Sequence, residues 1–288
     1  MKLPAPHVLF TDFDLPSVGE CIYCGATSAL TPEHIVPFAI DGTWVLPDAS
    51  CKRCQDRINK VFEQQVLREY LLPLRYRSRM RSRRKSKAHG RITTKIISAN
   101  GQERSIEIPA QDYLNMIYAM EFPLPGIFLR CKPSSTTKAK IRVIFGKGEI
   151  NRVIKHLALN DGESLVGLVF YPEKFMMLLA KIAHGFAVSA HGVNGFRHRL
   201  PPLFLREGVA ADTLSHLVGG IPKIDLPTPE YTHSCWFGRV CIDGVCFFTV
   251  KIRLFAFLGF PTYIVVVGED LKSQSVPADA KRIFVSPW

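Results

Sequence analysis

The sequence predicts an α+β protein in which a small metal-stapled module precedes a larger α+β domain. Three observations support this fold class: Cys, His and turn residues are dense near the N-terminus, an Arg-rich stretch follows, and helical and alternating apolar patterns are mixed in the rest. The predicted division is 1–74 for the module, 75–90 for a basic arm or linker, and 91–288 for an α+β domain of unassigned role.

Elements of the module follow from turn chemistry and periodicity. Asp41-Gly42 separates two short β-like runs, 34–40 and 43–46, and predicts a hairpin turn. After Cys54 the apolar residues recur at helical spacing, which predicts an amphipathic helix that Pro73 ends.

Elements of the larger domain are predicted in the same way. Asn100-Gly101 lies between two alternating runs and predicts a second hairpin. Helices are expected at 109–120, 149–159 and 172–190, the last with Pro172 in its first turn. Strands are expected at 126–131, 139–145, 164–171, 246–258 and 262–268.

Composition narrows the class of protein. Hydrophobic residues make up 47% and charged residues 22%, which is ordinary for a globular chain and argues against wholesale disorder. The longest apolar stretch, 254–268, is too short to cross a bilayer, and the N-terminus lacks the apolar core of a signal peptide. We therefore expect a cytoplasmic protein without a membrane partner, in which the eight Cys form no disulfide framework.

Charge points to a polyanionic partner. Lys and Arg number 37 against 25 Asp and Glu, a balance of +12. The excess is concentrated in 68–95, which holds 11 basic residues and one acid. Such a surplus is typical of nucleic-acid-binding proteins. The residues predicted to contact phosphates are Arg75, Arg77, Arg79, Arg81, Arg83, Arg84 and Lys85. The alternative is a solvated, charge-rich linker.

Four cysteines form two C-x2-C pairs separated by 26 residues: Cys21 and Cys24, then Cys51 and Cys54. Each pair lets two thiolates reach one ion from a tight turn, and four thiolates close a tetrahedral shell, so the spacing predicts a structural zinc site. Redox pairs are the weaker alternative, because neither pair follows a βαβ pattern.

Between the two pairs, the sequence EHIVP at 33–37 puts a carboxylate and an imidazole side by side. A zinc deaminase is excluded, since it needs His-x-Glu with Pro-Cys-x-x-Cys and an open zinc position. Together, the two cysteine pairs, EHIVP, the hairpin and the following helix resemble an HNH endonuclease of the four-cysteine, zinc-stapled type. The resemblance covers about 21–72 and implies a ββα-metal fold that binds one catalytic divalent ion.

The resemblance also implies roles for individual residues. His34 matches the general base that activates water, and Glu33 matches a ligand of catalytic Mg²⁺ or another divalent cation. Asp48 stands where the family usually has the Asn that orients the base. Gln55 stands where it usually has Asn or His as the second metal ligand. Asp48 and Gln55 depart from the pattern, and Asp56 or Asn59 are alternatives to Gln55.

Three functions are therefore open. The first is hydrolysis of DNA phosphodiester bonds to 5′-phosphate and 3′-hydroxyl ends, with RNA left open as a substrate. The second is a degenerate HNH module, folded around zinc, that binds nucleic acid without cutting it. The third is a regulatory or interaction protein whose activity lies in 91–288. Homo-oligomerisation is left open.

Overall fold

The structure is a computed structural model. It describes residues 15–81, 91–98, 100–109, 117–132, 138–145, 163–165, 170–205, 211–221 and 232–271. Helices and antiparallel sheets are mixed along these residues, so the predicted α+β class is confirmed. Among the described helices, none is both long and apolar enough to cross a membrane.

The N-terminal module begins with two antiparallel strands, β1 (Leu30–His34) and β2 (Val45–Cys51). The segment that joins them contains a short 3-10 turn (Phe38–Ile40) and is longer than the two-residue turn predicted at Asp41-Gly42. A Cβ atom at Gly42 would lie 1.9 Å from the Val36 carbonyl oxygen, so only glycine fits this close approach.

Helix α1 (Lys52–Ile58) starts directly after the first cysteine of the second pair. It continues as two π-helical segments, Asn59–Glu63 and Val66–Tyr70. A second helix, α2 (Leu72–Arg77), carries Pro73 in its first turn. Pro73 therefore begins a new helix as well as ending the first one. Proline is tolerated in the first turn because backbone N–H groups there have no partner within the helix, so the missing N–H of proline removes no hydrogen bond.

The middle of the chain forms short antiparallel pairs. The hairpin predicted at Asn100-Gly101 is confirmed by β3 (Arg91–Ile97) and β4 (Glu103–Pro109), and β7 (Ser164–Leu165) pairs with β3. A separate pair consists of β5 (Ile117–Glu121) and β6 (Lys140–Phe145).

Two predictions for this region are wrong. Residues 117–120, predicted as helix, belong to β5, where pairing with β6 overrides helix propensity. Residues 126–130 form turns and not the predicted strand. The helix predicted at 149–159 lies outside the described residues, as does most of the strand predicted at 164–171.

The C-terminal part is a sheet packed on one long helix, α3 (Pro172–His191), which confirms the helix predicted there. The elements after this helix are β8 (Phe196–His198), α4 (Pro201–Leu205), α5 (Ala211–Leu217), β9 (Val218–Gly220), β10 (His233–Ile242), β11 (Val245–Leu254) and β12 (Thr262–Asp270). Strands β10, β11 and β12 form an antiparallel meander, and β8 and β9 both pair with β12.

The N-terminal module and the C-terminal sheet share one contiguous set of buried apolar residues. Tyr23 and Phe62 of the module both pack against Phe204 of α4, with ring centroids 5.6 and 6.1 Å apart. The buried imidazole of His184, on α3, donates from Nε2 to the Ile22 carbonyl oxygen at 2.8 Å. Helix α3 thus contacts the backbone between Cys21 and Cys24 through this hydrogen bond.

Cys241 and Cys246 form a disulfide across the β10–β11 hairpin. The expectation that the Cys form no disulfides does not hold for this pair. The two residues face each other in the antiparallel register on either side of the Asp243-Gly244 turn, which brings their Cα atoms to 4.0 Å.

Candidate functional site

The four cysteines predicted to bind zinc converge. The Sγ atoms of Cys21, Cys24, Cys51 and Cys54 all lie within 4.8 Å of one another. The Cys24 and Cys51 sulfurs are 3.7 Å apart. A tetrahedral zinc with Zn–S bonds of about 2.3 Å has sulfur–sulfur edges of about 3.8 Å, so this cluster could hold a metal ion such as zinc.

Each cysteine pair is presented by a different local structure. In the first pair, Gly25 adopts a left-handed conformation (φ 73°) and donates its N–H to the Cys21 carbonyl oxygen at 2.8 Å, which closes a tight turn. In the second pair, Cys51 precedes α1 and Cys54 lies in its first turn. Thiolates at a helix N-terminus benefit from the partial positive charge there.

The pKa of the Cys24 thiol is lower than that of an ordinary cysteine. Burial raises its pKa, but hydrogen bonds from the Ala26 backbone and from the other cysteines outweigh this effect and lower the pKa to about 7. Burial and the same sulfur–sulfur contacts raise the pKa of Cys54 and of Cys21, so without a cation the cluster favours one thiolate, at Cys24, among protonated neighbours. Arg53, fully exposed on α1, lies near enough to Cys24 that the sulfur raises the Arg53 pKa.

Strand β1 and helix α1 are joined by a direct hydrogen bond. The side-chain amide of Gln55 donates from Nε2 to the Pro32 carbonyl oxygen at 2.9 Å. The helix start therefore lies beside the strand that carries Glu33 and His34. The order strand, strand, helix around the cysteine cluster is the arrangement expected of a ββα module.

Glu33 is buried and forms an ion pair that the sequence did not predict. Its Oε1 atom lies 2.8 Å from Nζ of Lys181 on α3, and both side chains are almost inaccessible to solvent. Glu63 contributes Oε2 at 3.1 Å from the same ammonium. The His34 carbonyl oxygen accepts a third bond from Lys181 Nζ at 3.1 Å. The carboxylate predicted to bind a catalytic ion thus contacts an ammonium group.

Charges in this buried cluster alter the acidity of its members. Burial alone lowers the pKa of Lys181, but the carboxylates of Glu33 and Glu63 more than offset it and hold the pKa above its usual value. Burial, followed by the charges of the same two carboxylates, raises the pKa of Tyr23 well above 10. Lys181 is therefore charged and Tyr23 neutral throughout the physiological range.

His34 lies at the end of β1, half-buried. Its ring centroid is 5.8 Å from that of Phe38. The guanidinium carbon of Arg81 lies 5.6 Å from the centroid of the same Phe38 ring, within the range of a cation–π contact. The Arg81 side chain is also 3.8 Å from Asp41. An imidazole and an exposed guanidinium therefore flank one aromatic ring.

Asp48 lies apart from this group. It is exposed, adopts a left-handed conformation (φ 47°) within an irregular part of β2, and accepts a hydrogen bond from the Ser17 hydroxyl at 2.7 Å. Its observed contact orients the segment before the first cysteine pair.

The basic residues predicted to contact phosphates separate into two kinds. Arg75 is 7% exposed, and its Nε and Nη1 atoms donate to the Ala39 and Leu67 carbonyl oxygens, each at 2.7 Å. The prediction for Arg75 is therefore wrong, because this guanidinium is inside the fold. Arg79 and Arg81 are exposed.

Arg77 is half-buried in the last turn of α2. The remaining predicted residues lie outside the described part of the chain: Arg83, Arg84 and Lys85.

These contacts do not fit a divalent ion bound by Glu33 and Gln55. The Glu33 carboxylate faces the interior and contacts Lys181, whereas Gln55 is half-exposed and its amide N–H is bonded to Pro32. Lys181 is the residue that sequence reasoning missed. The sequence feature that could have identified Lys181 is that it is a single basic residue inside the apolar run of α3. A charge at such a position needs a buried partner of opposite charge.

No protein-family model, curated protein or solved structure matches this chain.

Proposed function

We propose that this chain acts on nucleic acid through an HNH-type module, stapled by zinc, that cleaves phosphodiester bonds with His34 as the general base. One observation carries the proposal. The strand with Glu33 and His34 is joined through Gln55 to the helix that starts at the cysteine cluster. This arrangement matches the order of elements that the HNH resemblance implies.

The cationic surface supports a polyanionic substrate. The exposed basic side chains are Lys52 and Arg53 on α1 and Lys60 on the π-helical segment that continues it, and Arg79 and Arg81 follow α2. Contacts of this kind bind the phosphate backbone without reading sequence, and they make affinity fall steeply as salt rises. DNA is the substrate that the HNH resemblance implies, and RNA presents the same backbone charge.

In the proposed reaction, a neutral His34 takes a proton from water. The resulting hydroxide attacks phosphorus in line, the bond from phosphorus to the 3′ oxygen breaks, and this oxygen takes a proton from solvent to give the 3′-hydroxyl. Imidazole suits this role because it titrates near pH 6.5. Arg81 could stabilise the charge that develops on the phosphate, since it contacts the same Phe38 ring as His34. The divalent ion typical of HNH enzymes does not fit at Glu33 as arranged, so we assign it no step.

A second candidate is nucleic-acid binding without cleavage. The ion pair between Lys181 and Glu33 favours this second candidate. An HNH reaction would need the Glu33 carboxylate as a ligand of a divalent metal ion, and the Lys181 ammonium already occupies that carboxylate. The two candidates share the zinc cluster and the basic surface. They differ in whether a phosphodiester bond breaks.

The test is incubation of the full-length, zinc-loaded chain with supercoiled plasmid in the presence of Mg²⁺, Mn²⁺ or Ni²⁺. We expect His34→Ala to lower the cleavage rate at least about 100-fold, the usual contribution of a general base. His191→Ala, at the C-terminal end of α3, is the matched control and should cut like the natural chain.

Binding is measured in parallel by fluorescence anisotropy with a labelled duplex. His34→Ala should bind as tightly as the natural chain. Salt-dependent binding without any cleavage by the natural chain would select the second candidate. Absence of both cleavage and binding would refute the proposed function altogether.

A further inference from the structure

Lys181 lies at the centre of a closed group of oxygen atoms. Its Nζ atom is 2.8 Å from Glu33, 3.1 Å from Glu63 and 3.1 Å from the His34 carbonyl oxygen. The Lys181 residue is only 3% exposed. An ammonium has three N–H donors and no acceptor, so these three oxygens match its full donor capacity.

The same oxygens are the kind that hard divalent cations bind. Mg²⁺ and Mn²⁺ take carboxylate and carbonyl oxygens in preference to nitrogen or sulfur. Two carboxylates next to one ammonium leave a formal charge of −1 in the cluster, whereas a divalent cation would neutralise both. Glu33 and Glu63 thus supply the ligand type and charge that a divalent ion requires, once the two carboxylates close in from their 2.8 and 3.1 Å distances to the ammonium.

A further polar group points to the same conclusion. The Tyr23 hydroxyl is buried and lies close enough to Glu33 for the carboxylate to affect it. Its hydrogen-bonding neighbour is the Glu33 carboxylate, although the contact falls outside ordinary hydrogen-bond geometry. Tyr23 therefore adds a third oxygen-bearing side chain at the edge of the same buried cluster.

We propose that Glu33 and Glu63 form an internal cation site that the chain fills with its own Lys181 in place of a divalent metal ion. While the ammonium is present, a divalent ion cannot bind these carboxylates. Removing the ammonium turns the pair into a site for Mn²⁺ or Mg²⁺. The inference goes beyond the proposed function, since it holds whether or not the module binds or cuts nucleic acid.

The position of Glu63 is consistent with a specialised site. Glu63 ends the first π-helical segment of the long N-terminal helix, and α3 packs against this segment. Such segments are uncommon and occur frequently at functional sites. The widened turn gives the second carboxylate a position from which it meets the same ammonium as Glu33.

The experiment is a titration of the zinc-loaded full chain with Mn²⁺, read by the electron paramagnetic resonance signal of the free ion, without nucleic acid. The natural chain should bind no Mn²⁺ that depends on Glu33. Lys181→Met should gain one bound Mn²⁺ per chain, and adding Glu63→Gln to that variant should remove it. Lys174→Met, on the same helix and bonded to Gln65, is the control and should behave like the natural chain.

Two results would overturn the inference. One is Mn²⁺ binding by the natural chain that Glu33→Gln abolishes. The other is a folded Lys181→Met chain that binds no more Mn²⁺ than Lys174→Met. If Lys181→Met does not fold, Lys181→Gln is used in its place in the same comparison, because glutamine removes the charge but keeps N–H donors. Because no nucleic acid is present, failure of the proposed function leaves this result unaffected.

Discussion

His233 makes the fold sensitive to acid. It begins β10, is fully buried, and uses both ring nitrogens as a neutral imidazole. Nε2 donates to the Ile40 carbonyl oxygen at 2.6 Å, and Nδ1 accepts the Phe255 backbone N–H at 3.2 Å. A proton on Nδ1 would remove the second bond and bury a charge. His233 therefore ties the C-terminal sheet to the segment that follows His34 only while it is neutral.

The size of the effect follows from the pKa. Burial lowers the pKa of His233 from 6.5 to about 4, although the bond to Ile40 acts in the opposite direction. Below pH 6.5 His233 is protonated in the unfolded chain, whereas in the folded chain it stays neutral until about pH 4. His233 therefore lowers the free energy of unfolding by about 3 kcal/mol as the pH falls across this window, at about 1.36 kcal/mol per pH unit, in addition to the contribution of His184, whose pKa burial also lowers to about 4.

The assay is urea unfolding, followed by tryptophan fluorescence, at a series of pH values between 7 and 4. His233→Gln should be less stable than the natural chain at pH 7 by about 1–3 kcal/mol, because one hydrogen bond is lost. Between pH 6.5 and pH 4 this difference should shift by about 3 kcal/mol in favour of the variant, so that it vanishes or reverses, since glutamine does not titrate. His216→Gln, at a half-buried position, should change the pH dependence less. Parallel stability curves for the natural chain and His233→Gln would refute the reasoning.

Two other predictions concern the metal cluster and the basic surface. Elemental analysis should find about one zinc per chain, and Cys51→Ser should lose it together with the N-terminal fold, because metal binding supplies folding free energy; zinc-free protein of full stability would contradict this. Changing Arg79, Arg81 and Arg83 together to Ala should weaken DNA binding evenly across sequences and lower its salt slope by about 3, whereas Arg75→Met should leave the slope unchanged and cost about 3 kcal/mol of stability. An equal change of slope for both variants would show that the buried and exposed arginines are not distinct.

The short-range features of this protein could be predicted from the sequence. The spacing of Cys21, Cys24, Cys51 and Cys54 predicted their convergence, because a tight turn holds the first pair, a helix start holds the second, and only one long-range contact is needed to join them. The Asn100-Gly101 hairpin and helix α3 were predicted for the same reason: their patterns are complete within a few residues or turns.

Only the tertiary structure distinguishes residues that look alike along the chain. Arg75 and Arg79 belong to one basic run, yet packing buries the first against backbone carbonyls and leaves the second in solvent. Lys181 and Glu33 are far apart in sequence, and their contact exists because α3 packs on the module. A residue pattern determines local turns and helices, whereas the partner of a buried charge depends on which distant element covers it.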